Sequence, residues 1–260
     1  MAQANSIGYD AAEYSQVKAQ AWRLWVEQYT IFWIFRTLGI NFDGLRVGDF
    51  GSGTGLYSRM MIDYGAKGVL AIEGDRKMVT QAKQESAAYH GLITYQESWI
   101  QDTTGIGDCP VALGSYLLSY PKSPEEATSY CRAIASHLAD PGVYVGFGNN
   151  TKERTGGHQY QPYGFTKVHS ADTMGDSDRA WVDWHIDGLT DPIRNYNLYP
   201  DTYRRAFADA GMQLFWQEAL LHPSQAGDSN WETFFEVETP VTAMVATKGE
   251  PPWNLSAWTK

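Results

Sequence analysis

A doubly wound α/β domain built on a mostly parallel sheet is what this 260-residue chain predicts. Short apolar segments alternate with amphipathic ones from residue 45 to residue 147, the spacing of parallel strands joined by right-handed crossover helices. The first apolar segment, Arg46-Val47-Gly48-Asp49-Phe50, runs directly into Gly51-Ser52-Gly53-Thr54-Gly55. Glycines at alternate positions let the backbone turn sharply and lie close to a ligand. The second, Ala71-Ile72-Glu73, ends in an acid about 20 residues beyond the loop, where a nucleoside would present its ribose hydroxyls.

The elements follow in order. Residues 10 to 38 carry helix formers, and Trp22, Trp25, Val26, Tyr29, Phe32, Trp33 and Phe35 give them a wide apolar face ending at Gly39. Two uses of that face stand: packing of core helices, or cover for a ligand or partner subunit. Then come strand 45–50, helix 56–64, strand 68–73, helix 75–89, strand 92–97 and strand 110–116. Helix 123–138 starts at Ser123-Pro124-Glu125, and strand 143–147 follows Pro141-Gly142. Residues 148–178 break the pattern with Gly, Asn, Thr, Ser and Asp, and read as a long functional or mobile loop. Two strands, 180–187 and 193–199, flank a turn from Gly188 to Pro192. A helix opens at Pro200-Asp201 and ends at Gly211, and strands 213–220 and 241–247 close the fold. The organisation expected is one domain over 1–250, with 1–40 as helical cover, an insertion at 148–199 after the fifth strand, and a poorly ordered tail at 251–260.

Composition narrows the function. With 43% hydrophobic and 19% charged residues the chain is that of an ordinary globular protein. A net charge of −10 disfavours nucleic acid, whose binding rests on neutralising phosphates. The two cysteines, Cys109 and Cys131, suggest neither a disulfide framework nor a metal centre. No basic leader and no membrane-length apolar run is visible. The expectation is a cytoplasmic protein with a small-molecule substrate, no nucleic-acid or membrane partner, and a homo-oligomeric state left open.

A dinucleotide site would want Gly-x-Gly-x-x-Gly. Here the series is Gly51-x-Gly53-x-Gly55 after Asp49, which resembles motif I of the class I S-adenosylmethionine (SAM)-dependent methyltransferases. The resemblance implies their Rossmann-like fold and SAM as cofactor, with S-adenosylhomocysteine (SAH) as product. Asp49, Gly51, Ser52 and Gly53 would then shape the loop along the cofactor's amino acid end, and Glu73 would pair with both ribose hydroxyls. Ala71-Ile72-Glu73-Gly74-Asp75-Arg76-Lys77-Met78 resembles the family's acid-turn-helix segment, with Gly74 and Met78 on the adenine side. At Gln96-Glu97-Ser98-Trp99 the family usually places an Asp on the adenine, and this chain has none there. Ser98 with Trp99 stacking, or Asp102 reaching back, are the alternatives.

Ile7-Gly8-Tyr9-Asp10 with Glu13-Tyr14, Gly114-Ser115-Tyr116-Leu117-Leu118, and Asn195-Tyr196-Asn197-Leu198-Tyr199-Pro200 together resemble the small-molecule methyltransferases grouped with toxoflavin synthase. By that resemblance Tyr9 or Tyr14 closes over the cofactor, and Ser115 and Tyr116 flank the methyl-transfer site.

Methyl transfer needs an in-line approach to the sulfonium carbon, and positioning alone supplies up to about 7–11 kcal/mol. A base is required only for an acceptor with a high pKa. His185, His158 and His169 lie in the region expected to cover the site; His185, between aromatics, and Tyr116 are the catalytic candidates. Tyr9, Tyr163, Trp184, Tyr196 and Tyr199 are the acceptor-binding candidates, since aromatic walls suit a flat small molecule. The function expected is methyl transfer to nitrogen or oxygen of an aromatic or heterocyclic metabolite. A SAM-binding cyclase or rearrangement catalyst, a non-catalytic SAM-binding subunit docking through residues 22–35, and an NAD-dependent oxidoreductase are the competing readings.

Overall fold

The computed structural model describes residues 10–153, 157–170, 180–236, 239–250 and 253–256. In chain order the strands are β1 (Arg46–Phe50), β2 (Gly68–Glu73), β3 (Ile93–Glu97), β4 (Cys109–Ser115), β5 (Leu138–Asn149), β6 (Phe165–His169), β7 (Ala180–Ile186), β8 (Ile193–Asn197), β9 (Met212–Glu218) and β10 (Val241–Lys248). The principal helices are α1 (Ala11–Val17), α2 (Tyr29–Leu38), α3 (Leu56–Asp63), α4 (Arg76–Glu85), α5 (Pro124–His137) and α6 (Pro200–Asp209).

Seven strands form one sheet in the order β3-β2-β1-β4-β5-β10-β9. β1 to β5 pair in parallel, whereas β10 runs antiparallel between β5 and β9. Residues of β1, β2, β4, β5 and β10 are buried along almost their whole length, as expected where helices cover both faces. One core joins α2 and α3 to Val47, Val111, Val143 and Val145; the other joins α5 and α6 to Phe50, Ile72, Ala112 and Tyr144. The strand order reverses at the β1–β4 pair, and ligand crevices form beyond the carboxyl ends of the strands at such a point.

Three departures from the sequence expectations bear on function. First, the helical segment 10–38, expected without internal boundaries, divides at residues 18–22 and contains a π-helical turn. Asp10 caps α1 by accepting from the N–H groups of Ala12 and Glu13, α1 ends at Val17, and α2 continues a π-helical turn at Arg23–Gln28. Second, the region expected as a loop contains a 3-10 helix, Gly157–Tyr163, and strand β6. With β7 and β8, β6 makes a separate antiparallel sheet. β6 escaped sequence reading because its inward position 167 is a lysine; Lys167 is fully buried and its Nζ donates to Glu153 at 2.6 Å. Third, β5 begins at Leu138, which pairs with Cys109 across a register shift.

The N-terminal segment and the small sheet share one aromatic cluster. Trp22 lies 5.1 Å from Phe165 and 6.1 Å from Trp184, ring centroid to centroid. Gln20 Nε2 donates to the carbonyls of Gly164 and Asp187, tying the same two parts together. Among the described residues, no helix is long and apolar enough to cross a membrane, and no group of three or more His, Cys, Asp or Glu side chains could hold a metal.

Candidate active site

The loop after β1, the end of β2 and the end of β4 meet in one cleft. Gly51, Gly53 and Gly55 take φ values of 69°, 54° and 76°, the left-handed region that L side chains avoid. Glu73 holds this loop in place: its Oε2 accepts from the Gly53 N–H at 2.8 Å and its Oε1 from the Asp75 N–H at 2.8 Å. Burial pushes the Glu73 carboxyl up to about 7, against the pull of those backbone donors. A carboxylate offers about four lone-pair sites, so these two bonds leave acceptor capacity toward the cleft, which Glu73 lines.

Most sequence-derived cofactor candidates meet here. Gly51, Gly53, Gly74 and Met78 line the cleft on one side, and Ser98, Trp99 and Ser115 on the others. Tyr14, from α1, lies over the loop: a Cβ added at Gly53 would stand 3.4 Å from its ring. Trp99 lies directly on Gly74, where a Cβ would overlap the indole. Ser98 Oγ donates to the Trp99 carbonyl at 3.3 Å. Ser52 sits on the loop with its Oγ buried and unpartnered.

Asp49 does not line the cleft. It is buried beneath the loop, where Oδ2 accepts from Ser58 Oγ on α3 at 2.5 Å. Burial raises its carboxyl to about 6. Asp102 is exposed on a 3-10 turn, whereas Gln101, one residue earlier, lines the cleft with its Oε1 buried and unpartnered. Sequence reading passed over Gln101 because a polar residue beside the expected Asp position has no distinguishing spacing.

A second cavity adjoins the first. Tyr14, Tyr116 and Tyr120 line both; Arg23, Trp184, Ile186, Ile193 and Asn195 complete the second. Tyr116 stands in the left-handed region at φ 61°, and burial drives its hydroxyl pKa far above the usual tyrosine value. Trp184 is fixed from behind, its Nε1 donating to Asn149 Oδ1 at 2.8 Å.

The other expected residues are elsewhere. β7 alternates, so Trp184 turning inward sends His185 outward, where it is exposed and outside both cavities. The same alternation on β8 buries Asn195 and turns Tyr196 to the opposite face, with Lys122 Nζ 5.8 Å from its ring centre. Tyr163 packs on Trp231 at 5.5 Å; its hydroxyl donates to the Asn230 carbonyl and accepts from the Phe234 N–H. Tyr199 precedes α6 as its N-cap residue and lines neither cavity. His158 is exposed, and His169 Nε2 lies 3.3 Å from Glu153. Tyr9 falls outside the described residues.

A buried ionic cluster joins Ser115 of the first cavity's lining to Arg23 of the second's. Glu27, fully buried on the π-helical turn, accepts at Oε1 from Tyr57 (2.7 Å), Ser115 (3.0 Å) and Lys18 (3.2 Å), and at Oε2 from Arg23 Nη1 (2.7 Å). Lys18 and Arg23 overcome desolvation and hold the Glu27 carboxyl down at about 2. The signal for this cluster was an i,i+4 Arg–Glu pair inside an otherwise apolar face.

No protein-family model and no curated protein matches the chain. Solved structures do. A SAM-dependent methyltransferase from Mesorhizobium loti is 18% identical with a TM-score of 0.59, covering 89% of this chain and 100% of its own. One from Clostridium acetobutylicum is 12% identical with a TM-score of 0.62, covering 92% and 99%. DhpI in complex with SAH is 14% identical with a TM-score of 0.54, covering 92% and 93%. Likeness at this identity establishes architecture, and the architecture agrees with the sheet order and the antiparallel β10: the chain has the class I methyltransferase fold.

Proposed function

We propose that this protein is a SAM-dependent methyltransferase acting at nitrogen or oxygen of a small aromatic or heterocyclic metabolite. The observation that carries the reading is the Glu73–Gly53 clasp at the strand-order reversal. It presents an acid and a left-handed glycine loop to one cleft. The buried, unpartnered Gln101 Oε1 fits a polar ligand there. Glu73 would accept from the ribose hydroxyls, Gly51 and Gly53 would admit the amino acid end, and Met78, Trp99 and Gln101 would hold the adenine. Bound SAM would supply an electrophilic sulfonium methyl. The chain's own part is placement: Tyr116 and Ser115 at the end of β4 border the cavity that would take the acceptor, and Trp184, Ile186 and Ile193 exclude water from it. With its pKa so high, the Tyr116 hydroxyl stays protonated and acts as a donor, not as a base.

Calorimetric titration of SAM and SAH into ligand-stripped protein tests this. Micromolar binding of both, followed by SAH release on incubation with SAM and phenolic or heterocyclic acceptors, is the expected result. Absence of binding by either compound overturns the reading.

A further inference from the structure

On residues lining the second cavity, Arg23 Nε is buried without a hydrogen-bond partner, and the buried Tyr116 hydroxyl has none beyond the neighbouring Arg23 side chain. Arg23 is only 3% exposed, so its unmatched N–H has no access to bulk water. Leaving buried donors unpaired is costly, and native structures rarely do so without reason. Tyr116 adds backbone strain, being the only non-glycine residue with positive φ among those described. Strain and unmet donors at one spot beside a cavity mark a place organised for a ligand.

The chemistry of that ligand follows from what faces it. Glu27 is the one carboxylate acting on Arg23, and Arg23 shares it with Lys18. Tyr57 and Ser115 use the same carboxylate as donors. The cavity's lining offers a guanidinium N–H and the Tyr116 hydroxyl as donors, with Tyr14, Tyr120 and Asn195 beside them and apolar walls of Trp184, Ile186 and Ile193. Resting on the methyltransferase reading, we propose that the second cavity takes a methyl acceptor bearing an oxyanion (a carboxylate, or an ionised phenol or enol) on an aromatic or apolar body, its charged oxygen held by Arg23 and Tyr116. A guanidinium favours the ionised form of an oxygen acid beside it. The acceptor then arrives without a proton to lose, which suits two cavities whose described lining contains no histidine or lysine. The carboxylate of SAM itself offers the same chemistry. Arg23, however, lines the cavity with Trp184 and Asn195 and not the cleft with Gly51 and Glu73.

The test is calorimetry on SAH-saturated protein with two matched pairs of probes: 4-hydroxybenzoate against 4-hydroxybenzamide, and indole-3-carboxylate against indole-3-carboxamide. In at least one pair the carboxylate should bind about tenfold more tightly than the amide. Tyr116→Phe and Arg23→Gln should each remove most of that preference, and Arg23→Gln, which lies outside the cofactor cleft, should leave the SAH dissociation constant within about twofold. Tyr116→Phe should stay close to the wild-type melting temperature, because its hydroxyl loses at most a contact with the Arg23 side chain, so it remains informative if Arg23→Gln fails to fold. Equal affinity within both pairs, or no binding of any probe, overturns the inference while SAH binding preserves the methyltransferase reading. Weakening of SAH about tenfold in Arg23→Gln, with no carboxylate preference in the wild type, assigns the anion site to the cofactor and also overturns it. A wild type that binds no SAH overturns both.

Discussion

The Gly53 N–H donates to Glu73 Oε2 at 2.8 Å, so the acid ending β2 clasps the glycine loop that follows β1. The residue expected to bind ribose therefore also shapes the loop expected to run along the rest of the cofactor. Glu73→Ala should weaken SAM binding tenfold or more, about 1.4 kcal/mol or beyond. Freeing the Gly53 and Asp75 N–H groups should also cost about 1–3 kcal/mol of stability. Calorimetry and urea unfolding measure the two losses separately; a folded variant with unchanged affinity contradicts the assignment.

The same carboxyl makes stability depend on pH in a stated direction. Burial raises the Glu73 pKa from 4.5 to about 7, so the folded state holds this proton more tightly than the unfolded state. Its stabilising contribution is full below about 4.5 and is lost as pH rises through about 7. The melting temperature of the wild type, relative to Glu73→Gln, should fall across that window and be level outside it. A difference independent of pH would show that the carboxyl is not perturbed.

Glu27 behaves in the opposite sense. Its pKa is held down from 4.5 to about 2, so its contribution is present above about 4.5 and lost as pH falls toward 2. Glu27→Gln leaves Lys18 and Arg23 beside a neutral group and should destabilise the fold by about 3–5 kcal/mol, the cost of breaking a buried ionic pair. Ser115→Ala removes a single donor from the same carboxylate and should cost less. Denaturant unfolding of both variants gives the comparison, and equal losses would mean that the cluster is not held by charge.

His185→Ala should leave stability within about 0.5 kcal/mol of the wild type, as for other exposed positions, and methyl transfer unchanged. Its side chain is on the outer face of β7, away from Trp184. A pronounced drop in turnover with unaltered SAH binding would return it to the reaction.

Gly55→Ala should be among the most damaging single changes in the loop. Gly55 has φ 76°, and a Cβ would run into the Tyr95 hydroxyl, which bonds Ser86 at 2.8 Å. The left-handed conformation alone costs an L side chain roughly 1–2 kcal/mol. Thermal unfolding measures the loss, and Tyr95→Phe in the same background should recover part of it.

The sequence by itself determined β1 to β4 to within a residue and the helices after β1 and β2, the second of which ends at Glu85 rather than 89. It also singled out the glycine loop, Glu73, Met78 and the end of β4, which line one cleft. These are legible because each depends on neighbours in the chain: apolar runs, caps, glycines at turns, and an acid closing a strand. Only the tertiary structure decided which side of β7 and β8 faces inward, which kept Trp184, excluded His185 and Tyr196, and added Asn195. A one-residue choice of face is set by what the sheet packs on, here Trp22 on the N-terminal segment. Tertiary structure likewise decided that Lys167 is a core residue, because Glu153 supplies its charge from outside the strand. It also placed a buried ionic cluster on an apolar helix, since Arg23 and Glu27 acquire their meaning from Lys18, Tyr57, Ser115 and Tyr116, brought to them from three separate segments. The energy of a buried charge belongs to the surroundings that desolvate and pair it, and those surroundings exist only once the chain has folded.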